Sequence, residues 1–351
     1  MQECTRLGGV VLNSIGFPVS HKPDESRRAL LPSDAARVRH PGRLHFEAGY
    51  ATHLGIADRE YEAVGCHVVP RRTALECDVV CCPKAPQLEE RDLFLQGQTL
   101  FGWIHAVQGR AVVDFLMSKG MTAVAWEDMF EAARHCFWRN NELAGEAAVL
   151  HAAQFFGRPL RGAEAALIGK GNCGRGALRM LAELGAQTTV YERHNVCNLR
   201  GELHRYDLVV NAVLWDVFRR DHLIARADLQ RMRPKSMIVD ISCDEHMGIE
   251  SSHATSFQDP VYSVDGVLHY AIDHVPTIFF RAATEAISAV LPPYIDELVT
   301  GDHGECLRRA TVIAGGKIVD KRIEKFQKRG PRRQRAITRR IPASPEQPIL
   351  R

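Results

Sequence analysis

The sequence predicts an α/β protein with two Rossmann-like, doubly wound parallel-sheet domains, the second inserted into a discontinuous first. Three observations lead there. Short apolar runs alternate with helical patterns through about the first 125 residues, the pattern of a parallel sheet covered on both faces. A glycine-rich turn then joins a new strand to a new helix at residues 169–174. Helical patterns resume past Pro276, where the second sheet is already complete, so they are expected to cross back to the first unit.

In chain order, the strands expected in the first unit are Ser14–Val19, Arg43–Glu47, Cys66–Val69, Asp78–Cys82, Thr99–Ile104 and Thr122–Trp126. Helical stretches lie between them at Ser33–Arg39, Arg59–Val64, Glu89–Leu95 and Arg110–Lys119. Asn140–Phe156 is a long helical pattern, with Leu143, Ala147, Leu150 and Phe155 among its apolar positions and Gly157 as its stop. The second unit reads as strands Ala165–Ile168, Thr188–Tyr191, Asp207–Val213, Met237–Ile241 and Val261–Val264. Ala282–Leu291 and Tyr294–Val299 are the returning helices.

The glycine turn carries the most information. Ala165–Ile168 runs into Gly169-Lys170-Gly171-Asn172-Cys173-Gly174, and a helical pattern follows at once. The next strand ends on Glu192, with Arg193 after it, about 20 residues beyond the turn, as a dinucleotide-binding unit requires. Gly169 permits the tight turn, Gly171 lets backbone approach a pyrophosphate, and Gly174 lets the helix pack on the strand. The free N–H groups at the helix start, including those of Asn172 and Cys173, would face the phosphates. Cys173 reads as a small residue that fits the turn rather than as a nucleophile. The expected layout is therefore a substrate domain of 1–139 plus 283–330, a nucleotide domain of 140–282, and a basic, Pro-rich, disordered tail of 331–351.

At 351 residues the chain is too long for one compact core. Its 45% hydrophobic and 25% charged content is that of a soluble globular protein. It holds no apolar run of about 18 residues, so no membrane association is expected. The N-terminus lacks the apolar core of a signal peptide. Ten cysteines stand without CxxC pairs or histidine partners at zinc spacing, which reads as reduced thiols in a cytoplasmic chain without a metal site. Net charge is +3, but eleven basic and two acidic residues between Lys317 and Arg340 leave the rest of the chain acidic. That tail has no aromatic interleaving beyond Phe326, so a nucleic-acid partner is not expected. A homo-oligomer is.

Ligands of doubly wound folds sit at the C-terminal ends of the strands. Polar residues there are the candidates for chemistry. Arg27 and Arg28 follow the first strand and could clamp a carboxylate with two parallel hydrogen bonds. Lys84 follows Val79–Pro83 and could bind a carboxylate or polarise a carbonyl. His105 ends Leu100–Ile104 and is the side chain that titrates near neutrality. Asp240 and Asp244 close a strand of the nucleotide unit, and Asp273-His274 before Pro276 forms a further pair that could merely anchor a turn.

Together these residues resemble the alanine dehydrogenase superfamily, which also holds saccharopine dehydrogenases and the nucleotide domain of the proton-translocating transhydrogenase. The resemblance runs in order from about residue 13 to 329. It is carried by Ile15–Lys22, Arg27–Pro32, Pro83–Pro86, Gly97–His105, Arg139–Glu146, the glycine turn, Val239–Asp244 and Asp273–Pro276. Asn140-Asn141-Glu142-Leu143-Ala144-Gly145, Asp273-His274-Val275-Pro276 and Phe326–Arg329 look most like the N5-(carboxyethyl)ornithine synthases. The tail beyond Gly330 has no counterpart.

The resemblance implies roles. Arg27 grips the carboxylate of a small 2-oxo acid, and Lys84 contacts the same carboxylate and its carbonyl. His105 moves a proton to or from the reacting nitrogen or oxygen, and Asp244 steadies a cationic imine near the nicotinamide. The implied reaction is reductive condensation of pyruvate or a similar oxo acid with an amino-acid amine. Holding both partners in one cleft supplies about 7–11 kcal/mol of barrier reduction. The cofactor is NAD(H) or NADP(H): Glu192 favours a free ribose diol, whereas Arg193 could pair a 2′-phosphate. With ammonia as the amine the enzyme would be an alanine dehydrogenase, and with lysine and 2-oxoglutarate a saccharopine dehydrogenase. A non-catalytic nucleotide-binding regulator is the remaining reading.

Overall fold

The computed structural model describes residues 6–7 and 10–329. The expected tail at 331–351 lies outside the described residues. The strands of the two main sheets, in chain order, are β1 (Ile15–Phe17), β2 (Leu44–Glu47), β3 (His67–Val69), β4 (Val79–Lys84), β5 (Thr99–Trp103) and β6 (Thr122–Ala125). Then come β7 (Glu164–Ile168), β8 (Gln187–Tyr191), β9 (Leu208–Asn211), β10 (Met237–Asp240), β11 (Val261–Val264), β12 (Val267–Tyr270), β13 (Thr311–Ala314) and β14 (Lys317–Ile318). The helices that bear on the site are α1 (Arg110–Ser118), α2 (Trp138–Ala152), α3 (Asn172–Glu183), α4 (Phe280–Ser288) and α5 (Pro292–Thr300).

The first sheet has the order β3-β2-β1-β4-β5-β6-β13-β14, parallel from β3 through β6 and antiparallel at its last two strands. The second has the order β8-β7-β9-β10-β12-β11, with β11 antiparallel at the edge. Strand order reverses between β1 and β4 in one sheet and between β7 and β9 in the other. Those reversals open the crevices where doubly wound folds bind ligands. The central strands are covered on both faces. Every residue of β4 is buried, which is why it reads as one apolar run rather than an alternation.

Three strands of the two main sheets were not anticipated. β12 forms a hairpin with β11 through Asp265-Gly266, both at positive φ, and β14 pairs with β13 through Gly315-Gly316, also both positive. These are tight turns whose twist suits paired strands, and Asp-Gly and Gly-Gly are their sequence signals. The returning chain thus contributes two strands as well as helices α4 and α5, and its β13 pairs with β6. The expected helix Glu89–Leu95 is instead a 3-10 segment, Leu88–Leu93. A stretch that short cannot repay the cost of nucleating a regular helix.

Helix α2 lies against α3 because two glycines let the backbones meet. A Cβ on Gly145 would stand 1.9 Å from the Cys173 carbonyl oxygen, and one on Gly176 would stand 1.9 Å from that of Glu142. The loop after β1 is stitched to the segment after β12. Ser26 N–H donates to Thr277 Oγ1 (2.8 Å), Thr277 Oγ1 donates to the Asp24 carbonyl (2.8 Å), and His274 Nε2 lies 3.0 Å from the Pro23 carbonyl. These contacts hold the mouths of the two crevices together.

Candidate active site

Lys84 ends β4 beside the first reversal of strand order. Its direction is set by a bulge: the β4–β5 register shifts between Cys81 and Lys84. Pro83 has no N–H to offer the ladder, and bulges of this kind re-aim a side chain. Gly102 completes the device, because a Cβ there would stand 1.9 Å from the Cys82 carbonyl oxygen.

His105 follows β5 with φ 49°, a left-handed conformation that costs a non-glycine residue about 1–2 kcal/mol. The Glu127 carboxylate holds it there, accepting from the His105 N–H (2.6 Å) and the Ile104 N–H (3.1 Å). Burial pushes the Glu127 carboxyl up to about 7. Lys84 Nζ and His105 Nε2 stand 3.5 Å apart. Burial pulls the Lys84 ammonium down to about 8 against the favourable charge of Asp273. His105 does not titrate near neutrality as its residue type suggested. The surrounding protein and the Lys84 charge push the imidazole below its usual range, although the residue is exposed where it lines the cavity. It is therefore a neutral base at physiological pH.

Asp273 reaches into the same place from the second unit. Its Oδ2 takes Lys22 Nζ at 2.5 Å and lies 3.8 Å from Lys84 Nζ, while Oδ1 lies 2.7 Å from His274 Nδ1. Burial opposes its ionisation, but His274, Lys84 and Lys22 overcome that and hold its pKa well below the usual carboxylate range. Sequence reading left Asp273 as a turn anchor or a site residue; it holds His274 at the turn and also lines the cavity of Lys84. Lys22, Lys84, Trp103, His105 and Asp273 line one cavity of about 230 Å³.

Arg27 is buried, with its guanidinium 4.9 Å over the Trp103 ring that lines this cavity. Its Nε and Nη2 already donate to Glu25 (2.8 and 2.5 Å), and Nη1 donates to Asn140 (3.2 Å). Two of the five N–H groups of the guanidinium remain for a ligand. Arg28 is turned away. It donates to the Tyr50 carbonyl and stacks on the Tyr50 ring, so its role is structural. Asp244 does not line the Lys84–His105 cavity. It accepts from Gln108 Nε2 (3.1 Å), three residues beyond His105, and its second oxygen has no hydrogen-bond partner. Burial and the Asp240 charge raise it to about 7. The preceding residue, Cys243, is held at φ 55°, so both flanks of the cleft store backbone strain.

The second reversal of strand order opens a cavity of about 1400 Å³ lined by Gly169, Gly171, Glu192, Arg193, Arg200 and Trp215, among others. Its walls fit a dinucleotide. Gly169 has φ 89°, and a Cβ there would strike the Val213 side chain at 2.7 Å. A Cβ on Gly174 would stand 2.1 Å from the Gly169 carbonyl oxygen. A Cβ on Gly171 would meet nothing within 4 Å, so that glycine keeps space open above the start of α3. Asn172 accepts from Arg175 and begins α3. The Cys173 thiol is pushed up to about 11 by burial and stays protonated. Glu192 and Arg193 are exposed at the end of β8 on the cavity wall.

Two family models match in succession: the alanine dehydrogenase/PNT N-terminal domain over residues 16–137 and its C-terminal domain over residues 192–323. The chain belongs to the alanine dehydrogenase/PNT family. Membership makes it an oxidoreductase of that type. An N(5)-(carboxyethyl)ornithine synthase of Clostridium botulinum is 26% identical over 300 residues, covering 80% of this chain and 93% of that protein. An alanine dehydrogenase of Bacillus subtilis is 26% identical over 339 residues, covering 86% and 90%. A solved L-alanine dehydrogenase superposes with a TM-score of 0.76 at 25% identity over 90% of this chain and 99% of that one.

Sequence reasoning missed Glu25, Glu127 and Asn140 as partners of the site. The Glu25-x-Arg27 spacing was a usable signal for the first. Nothing local marks Glu127, which lies after β6 and reaches His105 only because β5 and β6 pair.

Proposed function

We propose that this protein catalyses NAD(P)H-dependent reductive condensation of a small 2-oxo acid, pyruvate above all, with the amine of an amino acid, yielding a secondary amine dicarboxylate. The observation that carries this reading is the Lys84–His105 pair, 3.5 Å apart in a cavity of about 230 Å³ whose neighbouring crevice fits a dinucleotide. Both N(5)-(carboxyethyl)ornithine synthases and alanine dehydrogenases among the relatives agree with it.

In this mechanism Arg27 and Lys84 hold the oxo acid through its carboxylate, and the Lys84 ammonium polarises the carbonyl. Neutral His105 accepts a proton from the attacking amine. The Lys84 ammonium gives a proton to the carbonyl oxygen as the amine attacks, and His105 then returns its own proton to the resulting hydroxyl, which leaves as water while the nitrogen lone pair forms the C=N bond of the iminium. Asp244, when ionised, favours the positive charge of that iminium. Gly169–Gly174, Glu192 and Arg193 would hold the pyrophosphate and ribose of a reduced dinucleotide, whose nicotinamide would supply hydride to the C=N carbon. Lys22 and His274 keep Asp273 charged, and Asp273 keeps Lys84 in place.

An alanine dehydrogenase reaction, with ammonia as the amine, is the second reading, favoured by the structural superposition. The deciding experiment mixes the purified protein with pyruvate, each reduced cofactor and a panel of ornithine, lysine, arginine and ammonia, following nicotinamide absorbance and product mass. Oxidation that needs both pyruvate and a side-chain amine, with the mass of the secondary amine, supports the condensation. Turnover with ammonia alone replaces it with the second reading.

A further inference from the structure

The cavity that holds Lys84 and His105 has one more charged wall, and nothing so far uses it. Arg91 lines it beside Gln87 and Val112. Its Nη1 donates to the Ala111 carbonyl in the first turn of α1 (2.8 Å), and its guanidinium lies 5.3 Å from the Phe115 ring centroid. These two contacts fix the plane of the group. They leave its side-on edge unused: Nε is buried without a hydrogen-bond partner, and Nη2 makes no hydrogen bond among the described residues. No carboxylate among the described residues pairs with Arg91, whereas its sequence neighbour Glu90 is taken by Arg71 and His21. Nε is shut off from the cavity, so the group that a carboxylate there would meet is Nη2, whose N–H groups have no partner among the described residues.

The charge count points the same way. Lys22, Lys84 and Arg91 face the cavity as cations against Asp273 as its single carboxylate. Asp273 is already engaged by Lys22 and His274. One bound carboxylate, on Lys84 and Arg27, would leave a positive charge unmatched. A second carboxylate would give Arg91 a counter-charge of its own.

We propose that Arg91 is a specificity-determining residue that binds the carboxylate of the amine substrate, so that the enzyme selects amino acids over ammonia and over amines without a carboxylate. This rests on the condensation reading above. A role confined to anchoring α1 would instead affect all amines alike.

The test compares ornithine with 1,4-diaminobutane, the same carbon chain without the carboxylate, as partners for pyruvate in full-length wild type, Arg91→Lys and Arg91→Gln. Wild type is expected to favour ornithine in kcat/KM by about tenfold or more, the range of a charged hydrogen-bonded pair. In Arg91→Gln the preference falls toward one, through KM for ornithine, and Arg91→Lys recovers part of it. An unchanged preference in Arg91→Gln, or no preference in wild type, overturns the proposal. Calorimetric titration of adipate against hexanoate reads the same residue without turnover. Adipate binding that is tighter than hexanoate binding and drops about tenfold in Arg91→Gln supports the proposal, and equal binding in both proteins overturns it. Absence of turnover with every amine, by contrast, removes the condensation reading while the titration still decides Arg91.

Discussion

At the scale of single residues, the site is a set of groups whose charge states are displaced from their ordinary values by burial and by one another. Lys84 is an ammonium only below about 8, and Asp244 is a carboxylate only above about 7. If both charged forms are needed, kcat/KM for the oxo acid rises through about pH 7 and falls through about pH 8. Asp244→Asn should flatten the acid limb and Lys84→Arg should move the alkaline limb upward. A profile that keeps both limbs in both variants would assign them to other groups. His105 contributes neither limb, because its shift takes it below that window. His105→Ala should nevertheless lower kcat by about a hundredfold or more, the usual worth of a positioned acid–base. Cofactor affinity, measured by fluorescence titration, should survive that change.

At the scale of elements, glycine positions decide what the strands and helices can present. Gly102 and Pro83 together produce the β4 bulge that aims Lys84. Gly102→Ala places a methyl group against the Cys82 carbonyl, so it is expected to cost about 1–3 kcal/mol of stability and to lower turnover beyond that loss. Wild-type kinetics in a less stable Gly102→Ala protein would separate the bulge from catalysis. Gly171 differs in kind, since a methyl group there meets no protein atom. Gly171→Ala should therefore melt like wild type in the absence of cofactor while binding NADH or NADPH about tenfold or more weakly. The two substitutions distinguish a glycine the fold needs from a glycine the ligand needs.

At the scale of the whole molecule, the two sheets act through each other. Gln108 and Lys22 of the first unit bond Asp244 and Asp273 of the second. The cofactor crevice belongs to the second sheet and the Lys84–His105 cavity is walled by both. A bound cofactor at a hundred times its dissociation constant should stabilise the folded chain by about 2.7 kcal/mol, readable as a shift in melting midpoint. Removal of 331–351 should leave turnover intact, because every site residue lies upstream of it. A truncated protein without activity would give that segment a part in the reaction.

Much of this was legible in the sequence for a physical reason: local patterns encode local structure. The strand–glycine turn–helix at 165–183, closed by Glu192, specified a nucleotide crevice by itself, because the turn needs Gly169 at positive φ and Gly174 clear of the Gly169 carbonyl five residues back. The central parallel strands were legible as unbroken apolar runs, since both faces are buried. Lys84 and His105 could be picked out as polar residues at strand ends. Their states could not. The fall of His105 below neutrality depends on a lysine from the neighbouring strand, and its strained backbone depends on Glu127, contacts made only when β4, β5 and β6 pair. The strand β13 was missed because it finds its partner far back in the chain at β6, a pairing with no local signature, whereas the Gly315-Gly316 turn into β14 was a local signal left unread. Sequence determined what could bind and where the polar groups lay along the chain. Tertiary structure alone decided which of those groups meet, which charges they hold, and that Arg91 lines the same cavity without a carboxylate partner among the described residues, because burial and long-range proximity are properties of the fold and not of any segment.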